Sequence, residues 1–243
     1  MTLGPPPQHA AYLLDLDGTL IDIAPTPGQV VVPDTLPATL RALRQICGNA
    51  LAVVTGRPIA QVDTLLGDAP YAVAGEHGAA VRHAPGTPIS MLPLPVVPAE
   101  WIRAAHALVA PHAGAVFEPK AHGFVLHYRG APSCAAAFHD ALAALLAKSD
   151  AGANFVVLAA KMAWEIRPLG VDKGSAVRAL MAQRPFAGRV PIFVGDDVTD
   201  EDGITAAEAL GGVGLRVGTD FADAAAVRTW LAGLAGGGFT GLP

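Results

Sequence analysis

Short apolar runs that stop at polar loops recur along this 243-residue chain, with helical periodicities between them. Tyr12-Leu13-Leu14 ends at Asp15-Leu16-Asp17-Gly18. Ala50 to Val54 ends at Thr55-Gly56-Arg57, and Tyr71 to Ala74 ends at Gly75-Glu76-His77-Gly78. Such runs, bounded by turn residues, predict strands buried on both faces. Between the first two, Leu36, Leu40, Leu43 and Ile46 fall on one helical face and predict a helix over 35–46. Pro58 suits the first turn of another. The rhythm returns late in the chain. Asp172 is a candidate N-cap for a helix over 173–183. Val190 to Val194 is a strand ending at Gly195-Asp196-Asp197, followed by a helix over 200–210 and a strand over 213–217. Strand and helix in alternation predict a parallel sheet with helices on both faces.

The middle follows another pattern. Pro85, Pro88, Pro93, Pro95 and Pro98 crowd together and predict a linker without an element. Beyond them come a helix over 99–109, strands over 115–118 and 124–128, a helix over 134–147, and strands over 155–159 and 162–166. This predicts an α/β, Rossmann-like core over 1–95 and 169–243, with a smaller α+β domain inserted over 96–168. The glycine-rich tail from Gly236 is expected to fray.

Composition narrows the classes. A formal net charge of −5 argues against a nucleic-acid partner, which needs a basic field. Cys47 and Cys134 form no CxxC pair and read as small buried thiols. The first ten residues carry no basic or apolar run of a signal peptide, and no apolar stretch reaches the length of a membrane span. The expectation is a soluble, cytoplasmic protein without membrane contact.

The candidate chemistry sits at the predicted strand ends, where open parallel sheets bind ligands. Asp15 and Asp17 end the first strand, Thr55 the second, and Asp196 and Asp197 a later one. Lys173 opens a helix, where N–H groups attract anions. Clustered carboxylates repel one another unless a cation is present, and a hard cation such as Mg²⁺ prefers oxygen ligands. A carboxylate so placed can attack phosphorus. Lys173, the Thr55 hydroxyl and Mg²⁺ can balance the phosphoryl oxygens, and a second carboxyl can protonate the leaving group. Each feature alone is weak. An Asp-x-Asp often caps a helix, Lys173 alone is a solvated helix residue, and Gly195-Asp196-Asp197 with Asp200 can be an acidic helix start. Their common order and placement favour catalysis.

Asp15-Leu-Asp-Gly-Thr-Leu, Thr55-Gly-Arg, Lys173 and Gly195-Asp-Asp-Val-Thr-Asp200 resemble the four ordered motifs of the haloacid dehalogenase (HAD) superfamily. The resemblance implies a HAD core with an inserted cap domain of the C2 type. It implies Asp15 as nucleophile, Asp17 as general acid and base, and Thr55 and Lys173 as phosphoryl ligands. It implies a metal on Asp15, the Asp17 backbone carbonyl and Asp196, supported by Asp197 and Asp200.

A second resemblance covers nearly the whole chain. Gly75-Glu-His-Gly78, Phe117-Glu-Pro-Lys-Ala-His-Gly-Phe-Val-Leu-His-Tyr-Arg129, and Lys161-Met-Ala-Trp-Glu-Ile-Arg-Pro168 before Lys173-Gly174 look like segments of trehalose-6-phosphate phosphatases. This implies that Glu118, Lys120 and Glu165 recognise the distal glucose. It adds Gly56, Arg57, His77, Gly78 and Arg129 on the substrate side. From alternation alone, Glu118 and Lys120 read as an exposed edge-strand pair. His77 equally suits a turn, and Lys161 a solvated lysine. Arg167 stands where a lysine is equally expected. The implied substrate is a small sugar phosphate, the cofactor Mg²⁺, and the state a monomer working with a trehalose-6-phosphate synthase. Competing readings are a phosphatase for sucrose phosphate or a glycosyl phosphoglycerate, a sensor without turnover, and a phosphomutase.

Overall fold

The structure is a computed structural model and describes residues 4–24, 29–120, 122–160, 162–238 and 241–243. Its strands are β1 (Ala10–Leu14), β2 (Leu51–Val54), β3 (Ala72–Gly75), β4 (Ala80–Arg82), β5 (Ser90–Met91), β6 (Val116–Pro119), β7 (Phe124–His127), β8 (Phe155–Ala160), β9 (Ala163–Pro168), β10 (Val190–Gly195) and β11 (Val213–Arg216). Its helices are α1 (Leu36–Ile46), α2 (Ile59–Leu66), α3 (Ala99–Val109), α4 (Ala135–Ala147), α5 (Lys173–Met181), α6 (Glu201–Ala209) and α7 (Ala224–Ala235). The chain divides into two compact units, one running to Leu92 and resuming at Asp172, the other spanning Pro93–Val171. No described helix is long and apolar enough to cross a membrane.

The first unit is built on a sheet of order β11-β10-β1-β2-β3-β4-β5. β1 lies between β10 and β2 and pairs with both in parallel. Every residue of β1, β2 and β3 is buried, as expected of strands covered on both faces. The chain leaves β1 for β2 in one direction and β10 for β11 in the other. With right-handed crossovers the intervening helices go to opposite faces, and a crevice opens at the carboxyl end of β1. α1 packs with α7, and α5 with α6.

Four features depart from the sequence expectation, the first being β4, an additional strand that pairs antiparallel with β3. Ser90–Met91, inside the proline-crowded stretch, pairs antiparallel with Ala80 and Val81. A strand at a sheet edge tolerates nearby prolines, because one side of it needs no donors. α7 is an additional helix, N-capped by Asp223, whose carboxylate accepts the Ala226 N–H at 2.9 Å. Its buried face is Ala224, Val227, Leu231 and Leu234. The tail beyond Gly236 is anchored where it is described. Gly241 accepts a hydrogen bond from Trp230 Nε1 at 3.3 Å, and Leu242 packs on the core.

The second unit has a four-stranded antiparallel sheet of order β6-β7-β9-β8. Its two faces differ, as strand alternation requires. Phe124, Leu126, Ile166 and Phe155 point into a core shared with Trp101 of α3 and with Phe138 and Leu142 of α4. The other face carries Glu118, His127 and Glu165. Glu118, Val125, Glu165 and Leu158 form one row across all four strands.

Candidate active site

β10, β1 and β2 are neighbours, so their carboxyl ends bring Asp196, Asp15 and Thr55 to one edge of the sheet. The Asp15 N–H donates to the Val194 carbonyl at 2.9 Å, which extends the β1–β10 ladder and fixes where the side chain starts. Lys173 is the first residue of α5. A capping box sets that helix start: Asp172 Oδ1 accepts the Ser175 N–H at 2.6 Å, and Ser175 Oγ accepts the Asp172 N–H at 3.1 Å. Lys173 Nζ donates to Asp15 Oδ1 and to Asp200 Oδ1, each at 2.6 Å. All three side chains are buried, Asp15 at 5%, Lys173 at 3% and Asp200 at 0% exposure.

Asp200 is engaged at both oxygens. Its Oδ2 accepts the N–H groups of Asp196 at 3.1 Å and Asp197 at 3.0 Å. Asp200 therefore shapes the loop that presents Asp196 while supplying charge behind it. Thr19 Oγ1 lies 3.5 Å from Asp196 Oδ1 on the other side. A Cβ on Gly18, whose φ is +81°, would stand 2.1 Å from Asp196 Oδ2. Only glycine lets the turn after β1 close on Asp196. Asp197 is exposed and accepts the Val198 N–H at 2.7 Å.

The electrostatics follow from burial. Desolvation pushes Asp15 up to about 8, with Asp200 adding to the rise and Lys173 opposing it. Burial works to lower Lys173, yet Asp15 and Asp200 outweigh it and push the ammonium upward. These directions pull apart, because a charged Lys173 ought to hold a lone carboxylate down. The count of charges reconciles them: one ammonium faces Asp15 and Asp200 together, with Asp196 beside them. Asp196 is itself pushed up to about 6, first by burial, then by Asp200 and Asp197.

Asp15, Asp196 and Asp200 present oxygens within 4.8 Å of one another. When all are ionised, as a bound cation would keep them, three carboxylates less one ammonium leave two negative charges, which one divalent cation balances. An all-oxygen donor set with that deficit fits a hard divalent metal ion.

Asp17 lies apart from this cluster, in a bidentate pair with Arg57. Thr55 is buried at the end of β2, where its Oγ1 accepts the Arg57 N–H at 3.2 Å and its carbonyl accepts the His77 N–H at 3.0 Å. A Cβ on Gly56 would meet the His77 ring at 2.8 Å, so Gly56 allows the ring to lie over the backbone. Glu76 and His77 have φ of +51° and +58°, followed by Gly78 at +107°. Two non-glycine residues in the left-handed region are strained, and such strain clusters at functional sites.

In the second unit, Glu118 pairs with Lys120 and lies 2.7 Å from His127 Nε2. Glu165 follows in the same cross-strand row, and burial pushes its carboxyl up against the opposing pull of Arg167 and Lys120. Arg129 is exposed in the turn after β7. Lys161 lies outside the described residues.

A sequence profile of the family described as trehalose-phosphatase matches residues 13–222, which takes in every strand-end group and the whole second unit. The chain belongs to the trehalose-phosphatase family. It is 38% identical over 211 residues to the trehalose-6-phosphate phosphatase of Escherichia coli (strain K12), covering 86% of this chain and 77% of that one. It is 40% identical, with the same coverage, to a probable trehalose-phosphate phosphatase of Sinorhizobium fredii. The Aspergillus fumigatus trehalose-6-phosphate phosphatase structure superposes with a TM-score of 0.70 at 24% identity, covering 95% of this chain and 93% of that one, a likeness of fold. The α/β architecture is that of HAD-like hydrolases, and this member of the trehalose-phosphatase family is a phosphatase.

Two residues enter the picture only with the structure. Thr19 stands in the Asp-Leu-Asp-Gly-Thr motif, but its contact with Asp196 spans 177 positions. His127 is bound to Glu118 across a strand pair, and only the strand register shows it.

Proposed function

We propose that this protein hydrolyses trehalose 6-phosphate to trehalose and phosphate, the last step of trehalose biosynthesis, by way of a phosphoryl group carried on Asp15. The observation that carries the reading is the buried Asp15–Lys173–Asp200 arrangement beside Asp196, in a chain of the trehalose-phosphatase family.

The Asp15 carboxylate attacks phosphorus as the bond to the sugar oxygen breaks, which leaves an aspartyl phosphate. Lys173 and the Thr55 hydroxyl donate to phosphoryl oxygens, whose charge must be balanced in the transition state. Asp17 gives a proton to the departing sugar oxygen and then takes one from the water that hydrolyses the aspartyl phosphate. Mg²⁺, held by Asp15, the Asp17 backbone carbonyl and Asp196, would add the positive charge that the carboxylate cluster lacks. Asp200 and Asp197 orient the loop that presents Asp196. Gly56, Arg57, His77 and Gly78 shape the phosphate side of the site.

The first unit acts as the catalytic core. The second reads the sugar through Glu118, Lys120 and Glu165, with Arg129 a further candidate contact from the turn after β7, because carboxylates and an ammonium bind hydroxyls through charge-assisted hydrogen bonds. The substrate is the product of a trehalose-6-phosphate synthase, the functional partner in this reading. The test is phosphate release from trehalose 6-phosphate, sucrose 6-phosphate and glucose 6-phosphate, each with Mg²⁺ and with chelator. Mg²⁺-dependent release with clear preference for the first is expected. Preference for another sugar overturns the substrate, and no release from any overturns the reaction.

A further inference from the structure

We infer that His127 is a positioning residue for sugar recognition, orienting the Glu118 carboxylate from the neighbouring strand; this rests on the reading of the second unit as the part that binds the sugar. His127 Nε2 lies 2.7 Å from Glu118 Oε2, while Glu118 Oε1 takes the Lys120 ammonium. The carboxylate is thus held at both oxygens, from β7 on one side and from just past the end of β6 on the other.

The register explains why His127 serves Glu118. His127 sits opposite Val116 on β6 and Ala163 on β9, and Ala163 in turn sits opposite Ala160 on β8. That row is apolar apart from the imidazole. Glu118 lies one row further on the same face, opposite Val125. The ring reaches it on the diagonal, a distance that long side chains bridge between strands. Burial works to raise the Glu118 carboxyl, but the hydrogen bonds from Lys120 and His127 outweigh it and hold the group below the usual range.

A carboxylate oxygen that accepts one hydrogen bond keeps a further lone pair. With both oxygens pinned, the remaining lone pairs point in fixed directions. Sugar hydroxyls also point in fixed directions from their ring, so an aligned acceptor discriminates between sugars where a rotating one does not. His127 sets selectivity through Glu118 and leaves the phosphoryl chemistry to the first unit.

The readout is the ratio of kcat/KM for trehalose 6-phosphate to that for an aryl phosphate. His127→Leu should lower it on the order of tenfold, as expected for loss of a charge-assisted hydrogen bond. His127→Gln, whose amide N–H can reach the same oxygen, should restore most of the ratio. In a Glu118→Ala background, His127→Leu should change little, since the pair acts as one unit. Carbon-13 NMR titration of the Glu118 carboxyl gives a second measurement, and should show it rising in His127→Leu but not in His127→Gln. The inference is overturned if His127→Leu keeps the wild-type ratio, if Gln is no better than Leu, or if the full loss persists without Glu118. Glu118→Ala alone tests the underlying reading. If it leaves the ratio at the wild-type value, that face does not read the sugar and both ideas fall. If it lowers the ratio while His127→Leu does not, only the role of His127 falls.

Discussion

Arg57 grips the Asp17 carboxylate with two parallel hydrogen bonds, Nε to Oδ2 and Nη2 to Oδ1, each 2.6 Å long. The fork fixes the carboxylate plane at the end of β1, while Asp15, two positions earlier, faces Lys173. An ammonium in place of the guanidinium keeps the charge and loses the fork. Arg57→Lys should therefore lower kcat for trehalose 6-phosphate on the order of tenfold, about the value of one aligned charged hydrogen bond. Steady-state kinetics decide it, and a wild-type kcat would detach Arg57 from the work of Asp17.

Asp15→Asn keeps the shape and still accepts from Lys173, so the fold should survive. The amide cannot form an acyl phosphate, and turnover should drop by roughly a thousandfold or more. Circular dichroism checks the fold, and acid-quenched labelling with radioactive substrate checks the phosphoenzyme. Label trapped on the Asn variant would move the nucleophile elsewhere.

Asp196 offers a test of the carboxylate deficit. Its proton is held more tightly in the folded chain than at the ordinary value of 3.8, with a folded value of about 6. Its contribution to stability is therefore fully present below 3.8 and is lost as pH rises through about 6. In chelator, Asp196→Asn has no charge to acquire and should melt increasingly above wild type between about pH 4 and about pH 7. Excess Mg²⁺ should reverse the order, because an ion that binds only the folded state raises the wild-type melting temperature. Melting curves at several pH values, in EDTA and in Mg²⁺, provide the comparison. An order that ignores both pH and metal would end this account of the site.

Lys173 places its ammonium between two buried carboxylates. Lys173→Met fills the space and leaves Asp15 and Asp200 facing each other without it. Breaking a buried pair by removing one partner costs about 3–5 kcal/mol. Urea unfolding in chelator should show a loss of that size, and Lys173→Met with Asp200→Asn should recover part of it. If the double variant is no more stable than the single one, repulsion between the carboxylates is not the cause.

Much of the fold and of the candidate site was legible along the chain. Asp15, Thr55 and Asp196 each follow an apolar run that ends abruptly, and Lys173 follows a capping residue. Local pattern alone puts them at strand ends and a helix start, and parallel topology gathers such ends on one edge. The same pattern marked the change to hairpin-like strands in the middle. It was silent where local contrast is weak: in alanine-rich α7, in two-residue β5 between prolines, and at Leu242 past the glycine-rich tail.

Which charge meets which was decided only by the tertiary structure. Lys173 pairs with Asp15 across 158 positions and with Asp200 across 27. Arg57 takes Asp17, across 40 positions, and leaves Asp15 to Lys173. His127 reaches Glu118 because β6 and β7 pair in one register. Periodicity states which way a side chain leaves its own element. It carries no distance between elements, and a hydrogen bond or ion pair depends on that distance within tenths of an ångström.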